Sequence, residues 1–262
     1  MHKTTIRQFV IILAVIATLV VNGLANALPL NEQTTGEISD RFQVYFVPAG
    51  YVFSIWGLIY LALIAFAIYE ALPTQRDNPG LKRIGYLFAL SSLANMTWLF
   101  LWHYERFLLT LIAMVSLLGL LIAIYLRLEV GRSAVSTGEK WFVHIPFSIY
   151  LGWITVATIA NITQVLDFIN WNGWGVTGQI WALIMLIAGG VITLVVYQMR
   201  NDVAFVLVII WAYVGIAVKQ ANAPAVALPA WVIAGLLALL LLATGLFMQR
   251  RKRSSGLAST QS

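Results

Sequence analysis

The chain has no cysteine. Disulfides, thiol redox chemistry and thiolate metal sites are thereby excluded, and cysteine usage says nothing of the redox compartment. Charge is scarce as well: only 10% of the 262 residues are Asp, Glu, Lys or Arg, against 61% hydrophobic, and mean hydropathy is +0.87. That leaves too little polar surface to wrap a soluble domain, so the chain reads as an integral membrane protein. The short alternating segments of a β-barrel are missing too, and continuous apolar runs leave helices as the spanning structure. Glu70, His103, Glu105, Glu129, Glu139, His144 and Asp167 all fall near segment ends or in loops. A carboxylate or histidine at mid-depth is what an ion-driven pump usually needs, so that class is disfavoured. His103 and His144 fall on opposite sides and His2 lies in the terminal tail, so no metal site is expected. No carboxylate pair, Ser-His-Asp set or phosphate-cradling glycine loop appears, and no catalytic residue is assigned.

What is there is a series of apolar runs long enough to cross about 30 Å of hydrocarbon. Eight can be marked off, near 6–28, 48–72, 82–103, 106–128, 141–163, 177–198, 203–218 and 229–249. The expected fold class is all-α, a polytopic membrane helix bundle of about eight transmembrane helices. Thirteen of the sixteen Lys and Arg fall at one set of segment ends; Arg41, Arg106 and Lys219 fall at the other. Basic residues in short loops stay cytoplasmic, so both termini are expected there, in a bacterial plasma membrane. The basic tail then meets anionic lipid head groups and needs no nucleic acid to explain it. The start imitates a secretory signal ending in Ala25-Asn26-Ala27, but its apolar run exceeds the usual core of about 7–15 residues, and a retained helix is expected. No glycine pair four apart marks a dimer face, which leaves a homodimer and a monomer both open. Residues 29–47 form the one long loop, of the length that more often serves as a lid than as a spacer. The charged tail after Met248 is expected to be disordered.

The aromatics carry the functional signal. Of ten Trp, Trp141 lies at a basic end, Trp153 and Trp211 near mid-depth, and the other seven toward the opposite side. A plain interfacial belt would populate both faces. Phe53, Trp56 and Tyr60 are spaced three and four apart, which places them on one helical face. Asn95 with Trp98 on the third segment, and Trp153 with Asn161 on the fifth, reach a similar depth. An intramembrane Asn is often a helix–helix contact, but the shared level on three helices points to an apolar cavity with a few orienting polar groups.

At these residues the chain resembles the tryptophan-rich sensory proteins, the TspO/MBR family that includes the mitochondrial translocator protein (the peripheral benzodiazepine receptor). Pro48, Trp56 and Tyr60 are similar to the family's Pro-rich lead-in followed by Trp-x-x-x-Tyr, and Leu93-Ala94-Asn95 with Trp98 resembles its Leu-Asn-x-x-Trp block. Tyr150-Leu151-Gly152-Trp153, then Ala157-Thr158 and Asn161, resembles Tyr-Leu-x-Trp…Ala-Thr-x-x-Asn. The pattern departs where Ser54-Ile55 replaces a Gly-Pro-x segment and Ile149 stands in place of a Pro. The resemblance implies a five-helix bundle over 1–172, three additional helices over 173–249 and a basic tail over 250–262. It also implies a cavity under the first loop that holds tetrapyrroles or similar flat hydrophobic molecules, lined by Pro48, Phe53, Trp56, Tyr60, Asn95, Trp98, Trp153, Ala157 and Asn161. A porphyrin or haem would be a ligand there, with no resident cofactor or metal assigned. A sensing or transport protein is the leading expectation; an enzyme acting on a bound pigment or isoprenoid, or a partner-binding scaffold, are the alternatives.

Overall fold

The computed structural model describes residues 2–28 and 30–259. Among these the regular structure is entirely helical, as a chain in lipid must be if its backbone groups are to be satisfied within each segment. The helices are α1 (His2–Ala27), α2 (Thr35–Asp40), α3 (Ile55–Ala71), α4 (Pro79–Ile84), α5 (Leu87–His103), α6 (Phe107–Arg127), α7 (Thr137–Glu139), α8 (Ile145–Phe168), α9 (Gly178–Arg200), α10 (Val203–Lys219) and α11 (Pro224–Ser259). By length and composition six stretches are long and apolar enough to cross a membrane, and α5 and α10, of 17 residues each, pack among them. The result is a polytopic helical bundle.

α8 is its axis. Two-thirds (67%) of its apolar window is buried in the protein, against 28–39% for the other five spans, so those five present most of their surface to lipid. This explains why α8 is the least hydropathic of the six: Ser148, Thr158, Asn161 and Gln164 turn inward from it. α3, α6 and α10 pack around α8, α1 and α5 close the outer flank, and α9 and α11 pack with α10.

Boundaries follow local chemistry. Asn78 caps α4 by accepting from the Leu81 N–H at 3.1 Å, with Pro79 at the first helical position, where a missing N–H costs nothing. Asn201 ends α9 in the left-handed region, and Asp202 next to it opens α10 by accepting from the Phe205 N–H at 3.1 Å. The third apolar segment, expected as one run from 82, breaks at Gly85 with φ of 57°. The fifth begins with a π-helical turn over residues 140–144, one to two residues before Pro146, which has no N–H to give the carbonyl four positions back. Two expectations need correction. α11 starts at Pro224, five residues earlier than expected, and carries Pro229 inside it. It also runs on to Ser259, where the tail was expected to be disordered; from 249 to 259 there is no Pro, and Arg, Lys, Leu and Ala are fair helix formers. Residues 260–262 of that tail lie outside the described residues.

The basic residues gather at one end. There Arg83 pairs with Glu129 at 2.9 Å, Arg127 donates to the Arg83 carbonyl at 3.1 Å, and Arg7 pairs with Glu70 at 3.2 Å. The Arg7–Glu70 pair joins α1 to α3 and is almost wholly buried, with side-chain exposures of 7% and 0%. We call this the basic end, and the opposite one, which carries residues 30–49, the loop end.

Candidate ligand site

The loop end is built from the lead-in to α3 outward. Residues 50–54 form a short 3-10 turn before α3, and the Ala49 N–H donates to the Gly215 carbonyl of α10 at 3.1 Å. A Cβ at Gly215 would stand 2.1 Å from Val52 Cγ2 and 3.1 Å from Pro48 Cβ, so only glycine lets the lead-in lie this close to α10. Trp211 donates its indole N–H to the Val52 carbonyl at 3.1 Å, and Tyr51 meets its ring edge-on at 5.5 Å. On α8 Gly152 serves in the same way, a Cβ there lying 3.1 Å from Val208 Cβ. Pinned from outside, the lead-in aims Phe53 and Trp56 inward.

There the aromatic rings pack against one another. Trp153 receives Phe53 at 5.7 Å and Trp56 at 6.2 Å, both near perpendicular, and Trp56 stacks on Tyr60 at 5.7 Å. Across the bundle Trp98 stacks on Trp102 at 5.5 Å with 17° between planes. Between these groups lies a cavity of about 40 Å³. Pro48, Phe53, Trp56, Trp98, Trp153, Ala157 and Asn161 all line it, so seven of the nine residues singled out from the sequence meet at one place. Tyr60 and Asn95 do not. Tyr60 touches the site only through its stack on Trp56, and the Asn95 Oδ1 accepts from Asn22 Nδ2 of α1 at 2.8 Å in a buried helix–helix contact.

Sequence reasoning left out Trp102, Met114, Val156, Ala160 and Gln164, which also line the cavity. Helical spacing held a signal for most of them: Trp102 is one turn beyond Trp98, and 153, 156, 157, 160, 161 and 164 share one face of α8. Met114 lies one turn beyond Thr110 on α6, a lone polar residue that sequence reasoning did not connect to Asn161.

The lining is polar in places and charged nowhere. Asn161 accepts from Trp98 Nε1 at 3.4 Å and donates to Thr110 Oγ1 at 3.0 Å, and Gln164 donates to Ser39 Oγ at 2.8 Å. Trp153 is the exception. Its side chain is 2% exposed and its indole N–H has no acceptor among the described residues.

The roof is the segment 30–49, with Thr35, Ser39, Val47 and Pro48 facing the cavity. Its helix α2 begins in a capping box: the Thr34 hydroxyl accepts from the Glu37 N–H, and the Glu37 carboxylate accepts from the Thr34 N–H at 2.7 Å. Those bonds from Thr34 hold the Glu37 carboxyl below its usual pKa. Ion pairs Arg41–Glu105 at 2.8 Å and Lys219–Asp40 at 2.6 Å tie the roof to its rim, and Trp102 Nε1 donates to the Thr35 carbonyl at 3.2 Å.

No curated protein and no solved structure matches the chain. A family model does, described as TSPO-like protein, over residues 8–243, which reaches past the boundary expected near 172 and takes in α9, α10 and most of α11. With that match over most of its length, the chain belongs to the TSPO-like protein family and is a multi-pass integral membrane protein.

Proposed function

We propose that the protein is a membrane-embedded sensing, binding or transport protein for a flat hydrophobic ligand of tetrapyrrole type, held in the loop-end aromatic cavity. Membership of the TSPO-like family supports the general class. The observation that carries the ligand reading is Trp153: an indole N–H buried without an acceptor costs about 1–3 kcal/mol, which a ring nitrogen or carbonyl of a ligand would recover. The uncharged lining and the pairs of rings on either side favour a planar apolar body with few polar atoms.

A cavity of about 40 Å³ holds about one water, whereas small-molecule sites run to roughly 300–1,000 Å³. The site is therefore closed, and a ligand enters when the roof lifts and the rings part. The partly exposed ion pairs at the roof's rim contribute only about 0–1 kcal/mol each, so the cost of lifting it lies in its buried contacts: Ile38, Phe46 and Val47, and the bonds from Trp102 and Gln164. All cavity residues fall between 35 and 164, which supports 1–172 as the ligand-binding unit, with 173–249 as the buttress that presses on Val52 and Gly152. The gathering of basic residues at the opposite end supports both termini cytoplasmic and the cavity in the outer half of the bilayer.

The test is an absorption titration of the purified full chain with protoporphyrin. Trp56→Leu and Trp153→Leu should each weaken binding by about twofold to tenfold, the range set by losing one aromatic contact. The double variant should lose less than the two combined, since both rings touch one molecule. Trp231→Leu, 47% exposed on α11, is the control. Equal losses at all three positions, or no loss at Trp56 and Trp153, would overturn the reading.

A further inference from the structure

A much larger void among the described residues takes no part in that site. From Trp211 toward Arg200, α3, α8 and α10 leave between them a crevice of about 980 Å³. Ile55, Ser148 and Val208 are its buried floor, and Leu58, Leu207 and Trp211 stand exposed at its mouth, where lipid chains would lie. Toward the basic end the lining changes character to Lys140, His144, Arg200 and Asp202.

Neither cation there is held in an ion pair among the described residues. The Asp202 carboxylate is already engaged, Oδ1 by the Phe205 N–H at 3.1 Å and Oδ2 by the Tyr125 hydroxyl at 2.8 Å. Glu139, next to Lys140, accepts from Asn78 Nδ2 at 3.0 Å. Arg200 is only 8% exposed; its guanidinium lies 5.7 Å from the Tyr125 ring centroid and donates to the Val130 carbonyl at 3.4 Å. No carboxylate pairs with Arg200 or Lys140 among the described residues. His144 is 5% exposed, and its Nε2 has no partner among them either. A buried cation is costly unless an anion meets it, and a guanidinium is shaped to bind phosphate through two parallel hydrogen bonds.

We propose that this crevice is a binding site for an anionic phospholipid, with an acyl chain along Leu58, Val208 and Leu207 up to Trp211 and the phosphate between Arg200 and Lys140. The two parts of the crevice match the two parts of such a molecule, and basic pockets between transmembrane helices are known to take anionic head groups. The site shares no lining residue with the loop-end cavity, so either reading stands if the other fails.

Native mass spectrometry of the full chain, given equal amounts of phosphatidylglycerol and phosphatidylcholine, tests it. Phosphatidylglycerol should be retained about tenfold over phosphatidylcholine. Arg200→Gln should erase that preference, and Lys140→Gln, at an exposed position with little role in folding, should reduce it severalfold. Ala204→Trp, which fills the crevice wall, should lower retention of both lipids. Equal retention of the two lipids by the unaltered chain would overturn the proposal. So would a preference undiminished in Lys140→Gln, a variant that keeps the test decisive even if Arg200→Gln does not fold.

Discussion

The two ends of the bundle hold voids of opposite kinds. The basic-end crevice is some twenty times the larger, opens sideways and mixes Leu, Trp and charged groups, whereas the loop-end cavity is small, uncharged and roofed by its own chain. Volume alone would choose the crevice as the ligand site for a planar molecule. Lining chemistry favours the other, with flat rings on two sides and an unpaired donor, and on the proposed reading its small volume is that of a closed state. A wide furrow along a membrane protein is filled by lipid whatever its shape, so only its unpaired cations give it selectivity.

That contrast can be broken most severely at the buried ion pair. Arg7→Leu leaves the buried Glu70 carboxyl without its partner between α1 and α3, and should cost about 3–5 kcal/mol of stability, measured as a lower thermal midpoint in detergent. Porphyrin affinity per folded molecule should hold, because neither residue lines the cavity; a selective loss of affinity would mean the two ends are coupled. A smaller effect is expected at the lead-in. Gly215→Ala forces Val52 and Pro48 away from α10, with an overpacking cost of about 1–3 kcal/mol, and here affinity should fall together with stability.

Asn95→Leu sharpens the line between fold and site. It removes the acceptor for Asn22 and should cost about 0.6–2 kcal/mol of stability while leaving affinity nearly unchanged. An affinity loss without a stability loss would place Asn95 in the site after all. The smallest effect concerns the roof. The pKa of Glu37 is lowered in the folded chain, so its contribution is present above the unfolded value near 4.3 and disappears as pH falls through the lowered one. The protection of the α2 amides, measured as hydrogen exchange corrected for its intrinsic pH dependence, should therefore fall on acidification below about pH 4, and Glu37→Gln should remove that dependence; protection that falls equally in Glu37→Gln would assign it to another group.

Much of the fold was legible because the membrane reduces the choices: apolar runs must be helices, and each expected run coincides with one, though its ends differ by up to ten residues. What was misread lay at the ends. Pro229 reads as a helix start, yet a Pro in the second turn frees only the carbonyl of Ala225, and α11 absorbs it. In the site, Phe53, Trp56, Trp98, Trp153 and Asn161 were legible from periodicity and depth. Asn95 does not line the cavity, because depth does not say which neighbour a side chain turns to, and its Oδ1 accepts from Asn22. Glu70 lies near a segment end as expected, but its burial against Arg7 was not legible, since it depends on α1 packing against α3. The crevice was invisible for the same reason: its lining comes from three helices, the turn before α8 and the loop after α6, and no single stretch carries its pattern.

The central claim is that a planar ligand binds in the loop-end cavity, between the Trp56–Trp153 and Trp98–Trp102 ring groups, under a roof that must move. A structure of the full chain with protoporphyrin bound tests it most directly. The account predicts the macrocycle between the Trp56–Trp153 and Trp98–Trp102 ring groups, an acceptor within hydrogen-bonding distance of Trp153 Nε1, and residues 30–49 displaced from Trp102 and Gln164. A macrocycle lodged instead in the basic-end crevice, with the loop-end cavity still closed at its present size, would contradict it.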